Sequence, residues 1–411
     1  MAREVAVPLE AEEAVVGGPS RARKVLNLAR RHPLGVFGLL VVGLLFSCGI
    51  FAELVAPYDP LTPNRGTQTL AQLSGPIGAD DTTITVVDGS KVGFGQTVTV
   101  DDEQITILQL VGNELTVQRG AQNSIAAPHD GGAPLQIIGV QKLESPSLNH
   151  PFGTDRLGRD VLSRTIFGAR ISLLIGLVSV LFGVTVGSFF GVISGYFGRF
   201  IDSIIQRSVD VLLAFPAIIL LLAIVAVIGD PESAVRQFLA NHTPVPQGSF
   251  LGVPNFLDIF VISLGIGVAV MVSVTRVVRG AVLSIKENVY VEAARALGAS
   301  DARIMWRHIF PNVAALVVIL ASITLPIAIL AEAAISFLGI GVPLPTPSWG
   351  ADLTGPNQET ALSGHWWPVF FPGLALSVVV LGFNMLGDAF RDISDPRLRG
   401  ALGSGGGSRG P

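Results

Sequence analysis

The stretch Leu34-Gly-Val-Phe-Gly-Leu-Leu-Val-Val-Gly-Leu-Leu-Phe-Ser-Cys-Gly-Ile-Phe-Ala-Glu-Leu-Val-Ala56 decides the fold class. Its 23 residues carry one charge, Glu53. As a helix they extend roughly 34 Å, enough to cross a hydrocarbon core of about 30 Å. A secretory signal has an apolar stretch of only about 7–15 residues, so this run is expected to remain as a spanning anchor. Cys48 within it is the single cysteine of the chain. It excludes an intrachain disulfide and reads as a buried structural thiol.

Five further apolar runs lie near 171–197, 211–229, 257–276, 313–340 and 367–388. Of the 411 residues, 49% are hydrophobic and 14% charged, against roughly 25% charged in a soluble domain. Such a chain cannot cover itself with polar surface, so the expectation is an all-α polytopic membrane protein of about six spans. The formal net charge of −4 argues against nucleic acid as a partner.

Lysines and arginines orient the spans. They occur in the N-terminal segment 1–33 (Arg3, Arg21, Arg23, Lys24, Arg30, Arg31), in the connection 277–312 (Arg279, Lys286, Arg295, Arg303, Arg307, with Arg276 just before it) and in the tail 393–411 (Arg397, Arg399, with Arg391 just before it). The stretch 341–366 has none, and 230–256 has only Arg236. Six spans place every basic stretch on one side, so both termini are expected in the cytoplasm of a bacterial or archaeal cell. Arg156, Arg159, Arg164 and Arg170 are the exception, in a connection of about a hundred residues; long loops translocate largely regardless of charge. The Gly/Ser-rich 403–411 is native or an expression scar and is set aside.

Within the extracytoplasmic segment 57–148, about 66–140 reads as a small β-rich insertion. Thr82-Thr-Ile-Thr-Val-Val87, Thr97-Val-Thr-Val100, Gln104-Ile-Thr-Ile-Leu-Gln-Leu110 and Glu114-Leu-Thr-Val-Gln118 alternate apolar and polar residues, with Asp88-Gly-Ser and Gly112-Asn as turns. A compact barrel or sandwich is expected. It shows neither a metal cluster nor a nucleophile–base pair, and stands either as a structural insertion or as a contact for an extracytoplasmic partner.

The most informative polar stretch is Glu292-Ala-Ala-Arg-Ala-Leu-Gly-Ala-Ser-Asp-Ala-Arg-Ile-Met-Trp-Arg-His-Ile-Phe-Pro-Asn312. It reads as helix, break, helix. Gly298 suits a left-handed helix end, Ser300 or Asp301 a following N-cap, and Pro311 a break before the fifth span. Ala293 and Ala294 leave a small-residue face that a partner can approach. An ordinary amphipathic loop has the same composition; position on the basic side between late spans, with His308 and Pro311 following, gives the pattern its weight.

This combination resembles the EAA signature of permease subunits of ABC importers. His150-Pro-Phe-Gly-Thr-Asp-Arg-Leu-Gly-Arg-Asp-Val-Leu-Ser-Arg164, Gly168-Ala-Arg-Ile-Ser-Leu173, Ser336-Phe-Leu-Gly-Ile-Gly341, Pro347-Ser-Trp-Gly350 and Asp395-Pro-Arg-Leu-Arg399 are similar to the C-type transmembrane subunit of dipeptide/oligopeptide importers. The likeness covers about 149–400 and the first span, but not the β insertion. It implies the type I importer permease fold, in which the loop is a coupling helix seated on a separate ATPase. Glu292, Ala293, Ala294 and Gly298 would form the docking core, and His308 and Pro311 the return into the fifth span. It also implies a second, B-type permease, one or two ABC ATPase subunits that hold ATP and Mg, an extracytoplasmic substrate-binding protein, and peptides as substrate, with nickel chelates and glutathione as related cargoes. No cofactor, metal or catalytic residue is expected on this chain, which lacks the Gly-Lys pair of a P-loop.

Glu332 sits in the fifth run, where a carboxylate costs a few kcal/mol unless it faces protein or water. It lines the pathway or supports a gate, or else it packs between helices, protonated or paired. Asn384 favours an interhelical hydrogen bond, with the pathway as alternative. Asp210 and Asp388 read as interfacial. Pro216 and Pro326 fall inside spans and are expected to kink them where helices pivot. Trp349, Trp366 and Trp367 read as interface anchors. Two rival classes stay open: an ion-gradient-driven transporter, for which Glu332 is the one clear midplane candidate, and a membrane-anchored enzyme or adaptor acting through the β insertion.

Overall fold

Five helices of the computed structural model are long and apolar enough to cross a membrane, and a bent helix pair makes a sixth span if its two halves are counted as one. The structure describes residues 30, 32–230, 232–242, 246, 249, 253 and 255–394. The basic residues Arg3 to Lys24 and Arg31, the motif 395–399 and the tail to 411 lie outside the described residues. In chain order the helices are α1 (Pro33–Ile50), α2 (Ala52–Val55), α3 (Val161–Phe197), α4 (Arg199–Leu213), α5 (Ala217–Gly229), α6 (Ala234–His242), α7 (Phe256–Ile285), α8 (Val289–Ala296), α9 (Asp301–Ile304), α10 (Phe310–Phe337), α11 (Trp349–Asp352), α12 (Pro356–Leu362) and α13 (Trp367–Ser394). The fold class expected from the apolar runs is the one observed.

The spans depart from the apolar runs at their ends. Helix α3 begins at Val161 rather than 171, because the Asp160 carboxylate caps it by accepting from the Ser163 amide at 2.7 Å. Arg164 and Arg170 inside its first turns are neutralised by partners, so the helix need not end at its charges. Helix α7 continues past 276 to Ile285, with Arg276 and Arg279 paired to Asp210 and Asp202 at 2.5 Å.

The run 211–229 is not one continuous span. Helices α4 and α5 meet at 98°. Pro216 lacks an N–H and disfavours helical backbone at Phe215, so the chain breaks there, and Pro216 becomes the N-cap of α5 instead of a kink inside a helix. With 13 residues, α5 is about 20 Å long and shorter than the hydrocarbon core. Pro326 does lie inside a helix, buried in α10.

The core is built on α3 against α7. Gly183, Gly187, Gly191 and Gly195 of α3 face Val270, Val274, Val278 and Val282 of α7, one pair per turn. A Cβ on Gly187 would lie 2.8 Å from the Met271 carbonyl oxygen, so only glycine permits this backbone approach. The same apolar cluster continues through Val291, Ile304 and Ile309 to α10. A second cluster joins α1, α3 and α13 around Val42, Leu173, Trp349 and Phe383.

The insertion has six strands: β1 (Arg65–Gln72), β2 (Thr83–Thr85), β3 (Thr97–Val100), β4 (Glu103–Val111), β5 (Glu114–Gln118) and β6 (Pro134–Val140), antiparallel in the order β1-β6-β3-β4-β5-β2. The edges β1 and β2 meet where Leu73 bridges Val86 and Val87 N donates to Gln72 O at 2.9 Å, so the sheet closes into a barrel. Alternate residues fill it, among them Val98, Val100, Ile105, Ile107, Leu115 and Leu135. Its root is tied to the segment preceding α3: Asn64 N donates to Gly158 O at 2.7 Å and Gln141 N to Asn64 O at 2.9 Å.

Candidate functional site

The connection between α7 and α10 presents an ordered helix on a braced base. Val291 faces inward and is fully buried, which sets the rotation of α8. One helical turn spacing then puts Val289, Ala293 and Leu297 together on the opposite face. Val289 is 80% exposed and Leu297 88% exposed. Glu292 is exposed in the first turn, where a carboxylate complements the helix dipole. Ala294 packs toward the core instead, so the small-residue face expected from the Ala293–Ala294 pair is corrected to Ala293 alone, flanked by larger apolar residues. Gly298 follows the end of α8 with φ 81°, the left-handed conformation expected of it.

Beneath α8 the contacts run to the ends of α3 and α7. The Tyr196 hydroxyl donates to Asp301 at 2.5 Å, and the Arg295 guanidinium stands 5.9 Å from the Tyr196 ring. Of the two residues expected as the cap, Ser300 holds the N-cap position of α9, without a side-chain hydrogen bond, and Asp301 is a cross-brace. Lys286 Nζ donates to Gly195 O at 3.0 Å. Asp202 of α4 receives Arg279 at 2.5 and 2.6 Å and the Ser194 hydroxyl at 2.5 Å. These links join the end of α3 to α4, α7 and α9, with Arg295 of α8 over the Tyr196 ring. Tyr196 and Asp202 carry no local signal in the sequence, and their role emerges only when the helix ends come together.

The return to the membrane differs from the expected break at Pro311. Helix α9, a π-turn over Met305–Ile309 and α10 run on as one helical rod from Asp301 to Phe337. Pro311 stands in the first turn of α10, where its missing N–H removes little. The wider turn has Phe310 N donating to Met305 O, and Asn312 Nδ2 donates to the His308 carbonyl oxygen at 2.6 Å. The His308 ring lies 6.4 Å from that of Tyr290, which links the π-turn to α8.

At the other end of the spans a buried polar cluster locks the 341–352 connection. Arg164 donates through Nε to Asp352 at 3.0 Å, Nη2 contacts the same oxygen, and Nη1 reaches Pro60 O at 3.2 Å. Arg159 pairs with Asp155 at 2.7 Å. Glu332 is fully buried, and its Oε1 accepts from Ser336 Oγ at 2.8 Å. It is enclosed by its own chain, and the hydrogen bond stays within α10. Trp349 is fully buried and donates to Thr165 O at 2.9 Å, and buried Trp367 donates to Thr154 O at 3.0 Å; both are structural pins, leaving only Trp366 exposed as an anchor. Asn384 is exposed on α13, and among the described residues it makes no interhelical hydrogen bond, contrary to expectation. Among the described residues no group of three His, Cys, Asp or Glu could hold a metal ion.

Residues 187–400 match the family described as binding-protein-dependent transport system inner membrane component. Residues 20–76 match the N-terminal transmembrane domain of oligopeptide transport permease C. A Brucella suis biovar 1 protein provisionally named a peptide transport system permease is 36% identical over 268 residues, 65% of this chain and 80% of the relative. The glutathione transport system permease protein of Escherichia coli O157:H7 is 38% identical over 255 residues, 62% of this chain and 75% of the relative.

Proposed function

Because the chain belongs to the family of binding-protein-dependent transport system inner membrane components, a multi-pass permease subunit of an ABC importer, we propose that it forms half of a peptide pathway driven through α8. ATP and Mg are held by one or two separate ATPase subunits, and α8 seats on them through Glu292, Ala293 and Gly298 together with Val289 and Leu297. A second, B-type permease completes the pathway, and an extracytoplasmic binding protein delivers the substrate. Peptides are the substrate class; the names of the relatives support this, with glutathione itself a small peptide. Closure of the ATPases displaces α8, and the Tyr196–Asp301 and Arg279–Asp202 links carry that displacement to α3, α4 and α7.

A bacterial or archaeal plasma membrane with both termini cytoplasmic fits the charge distribution. The four arginines that depart from the positive-inside pattern each have an acidic partner: Arg156 with Glu359, Arg159 with Asp155, Arg164 with Asp352 and Arg170 with Glu53. They lie in a connection of about a hundred residues, and loops of that length translocate largely regardless of charge.

The observation that carries the reading is the exposed apolar face of α8 on a braced base. Leu297→Glu tests it, since a residue this exposed does not hold the fold. Expressed in its native host and extracted in mild detergent, the wild type should bring down ATPase subunits and a second permease, and the variant should lose only the ATPases. A wild type that purifies folded with no ATPase attached would sink the proposal and favour a gradient-driven transporter.

A further inference from the structure

The β barrel is not covered by the permease reading, and its surface is polarised. Strand directions define its two ends. β1 leaves the root at Arg65 and β6 returns to it at Val140, whose Cα atoms are paired. β3 runs opposite to β6, with Thr99 against Gln136, so β3 starts near the root and turns into β4 at Asp101–Asp102 at the far end. β4 then runs back and ends at Val111 near the root again. The loop before β3 is held there as well, with Gly95 N donating to Ile107 O at 2.9 Å.

This root end carries bare apolar side chains. Phe94 is 80% exposed and Val111 64% exposed, with exposed Leu108 and Val87 continuing along the wall. Its exposed charges are Arg65, Lys91 and Lys142 against Asp88 and Glu114. The far end differs in kind: it displays Asp80, Asp81, Asp101, Asp102 and Asp130, and its Arg119 is engaged by Glu103 and by the Gly78, Asp81 and Ala127 carbonyls.

The root also lies close to lipid. Arg170 Nε donates to Gly49 O at 2.8 Å and Nη2 to Ile50 O at 3.1 Å, so Arg170 stands level with the end of the first span. From Arg170 the α3 rod rises about 14 Å to Val161, where the barrel root is tied. Headgroups fill roughly half of that height.

We propose that the barrel rests its root end on the surface of the lipid bilayer, with Phe94 and Val111 at the headgroup level. The inference rests on the multi-pass membrane assignment. The exposed apolar side chains at the root end favour lipid over water, and the five exposed aspartates stand at the opposite end of the barrel. The barrel thereby becomes a stand that fixes the height and tilt of the outer ends of α1 and α3.

The test uses the full chain with Cys48→Ser, reconstituted alone in nanodiscs of mixed zwitterionic and anionic phospholipid. A polarity-sensitive fluorophore is placed in turn at Phe94→Cys, Val111→Cys, Ile125→Cys at the far end, and Leu44→Cys on the exposed face of the first span. Lipids with a nitroxide at the headgroup or deep in the acyl chain serve as quenchers. Headgroup nitroxide should quench positions 94 and 111 several-fold more than position 125, while the deep nitroxide quenches position 44. If 94 and 111 stay as unquenched as 125 while 44 is quenched, the barrel stands clear of lipid and the proposal is overturned. Protection of 94 and 111 only after a binding protein or second permease is added would assign the patch to that protein and overturn it too. An unquenched position 44 would instead show that the membrane assignment fails, and the proposal with it.

Discussion

Gly298 separates two costs that are usually confounded. Its φ of 81° is left-handed, and a Cβ there would meet nothing within 4 Å in the isolated chain. Gly298→Ala therefore costs the fold about 1 kcal/mol of backbone strain, and Gly298→Asn less, since asparagine tolerates this region. If the residue only turns the chain, the thermal stability of the purified chain and its retention of ATPases should fall together and slightly, with Asn milder than Ala. If both variants lose the ATPases while the chain melts as wild type, the missing Cβ is needed for contact with the partner. Arg164 makes the opposite case, because its partner is inside the same chain. Arg164→Ala leaves the Asp352 carboxylate buried without its cation, a loss of roughly 3–5 kcal/mol. The Arg164→Met/Asp352→Leu double variant should recover most of that loss in a detergent melting experiment, and failure to recover would mean that the pair does more than cancel charge.

At the scale of elements, the barrel has its own electrostatic pin. Burial alone would raise the Glu103 pKa, but hydrogen bonds from Arg119, the Gly120 and Ala127 amides and His129 outweigh it and hold the carboxyl near about 2, below its ordinary 4.5. A depressed folded-state pKa means that the ionised form supports folding above about 4.5 and that this support is lost as pH falls toward about 2. Limited proteolysis of the full chain in detergent should show the 101–130 region of wild type becoming cleavable through that window. Glu103→Gln should be more cleavable at neutral pH and converge with wild type in acid; a constant difference at every pH would rule out the carboxylate charge as the cause. Which elements the sequence reveals follows from the kind of signal each one leaves. Long apolar runs report spans, and alternation reported β2 to β5. The strands β1 and β6 were not legible, because Arg65–Gln72 is largely polar and Pro134–Val140 opens on a proline. Closure of the barrel depends on those two. The break between α4 and α5 escaped because apolar content does not record a bend, and Trp349 passed for an anchor because its sequence surroundings look the same whether it meets lipid or packs on α3 against Gly168 and Thr165.

For the whole molecule, the question is whether the barrel is part of the permease fold or carried by it. Its strands pack mainly on one another around their own apolar core, and Arg65 and Val140 stand as paired neighbours at the root. A short glycine linker can therefore replace 66–139 without separating Asn64 from Gln141, whose side chains bond at 2.9 Å. The α3–α7 glycine seam, the Arg164–Asp352 lock and the braced α8 base all lie outside the excised segment. Of the candidate site, the Gly298 turn and the partner-facing loop were legible from local pattern, whereas the braces at Tyr196 and Asp202 come from helices roughly 80 to 100 residues away in sequence, a separation that no local spacing encodes. The deletion variant should accordingly fold, stay in the membrane and retain its ATPases on co-purification. Loss of the ATPases or aggregation on size exclusion would show that the barrel supports the core from outside. With assembly intact, uptake measured in cells then isolates what the barrel adds: a fall in uptake assigns it to substrate delivery or to holding α1 and α3 at the bilayer surface, and wild-type uptake makes it dispensable for transport.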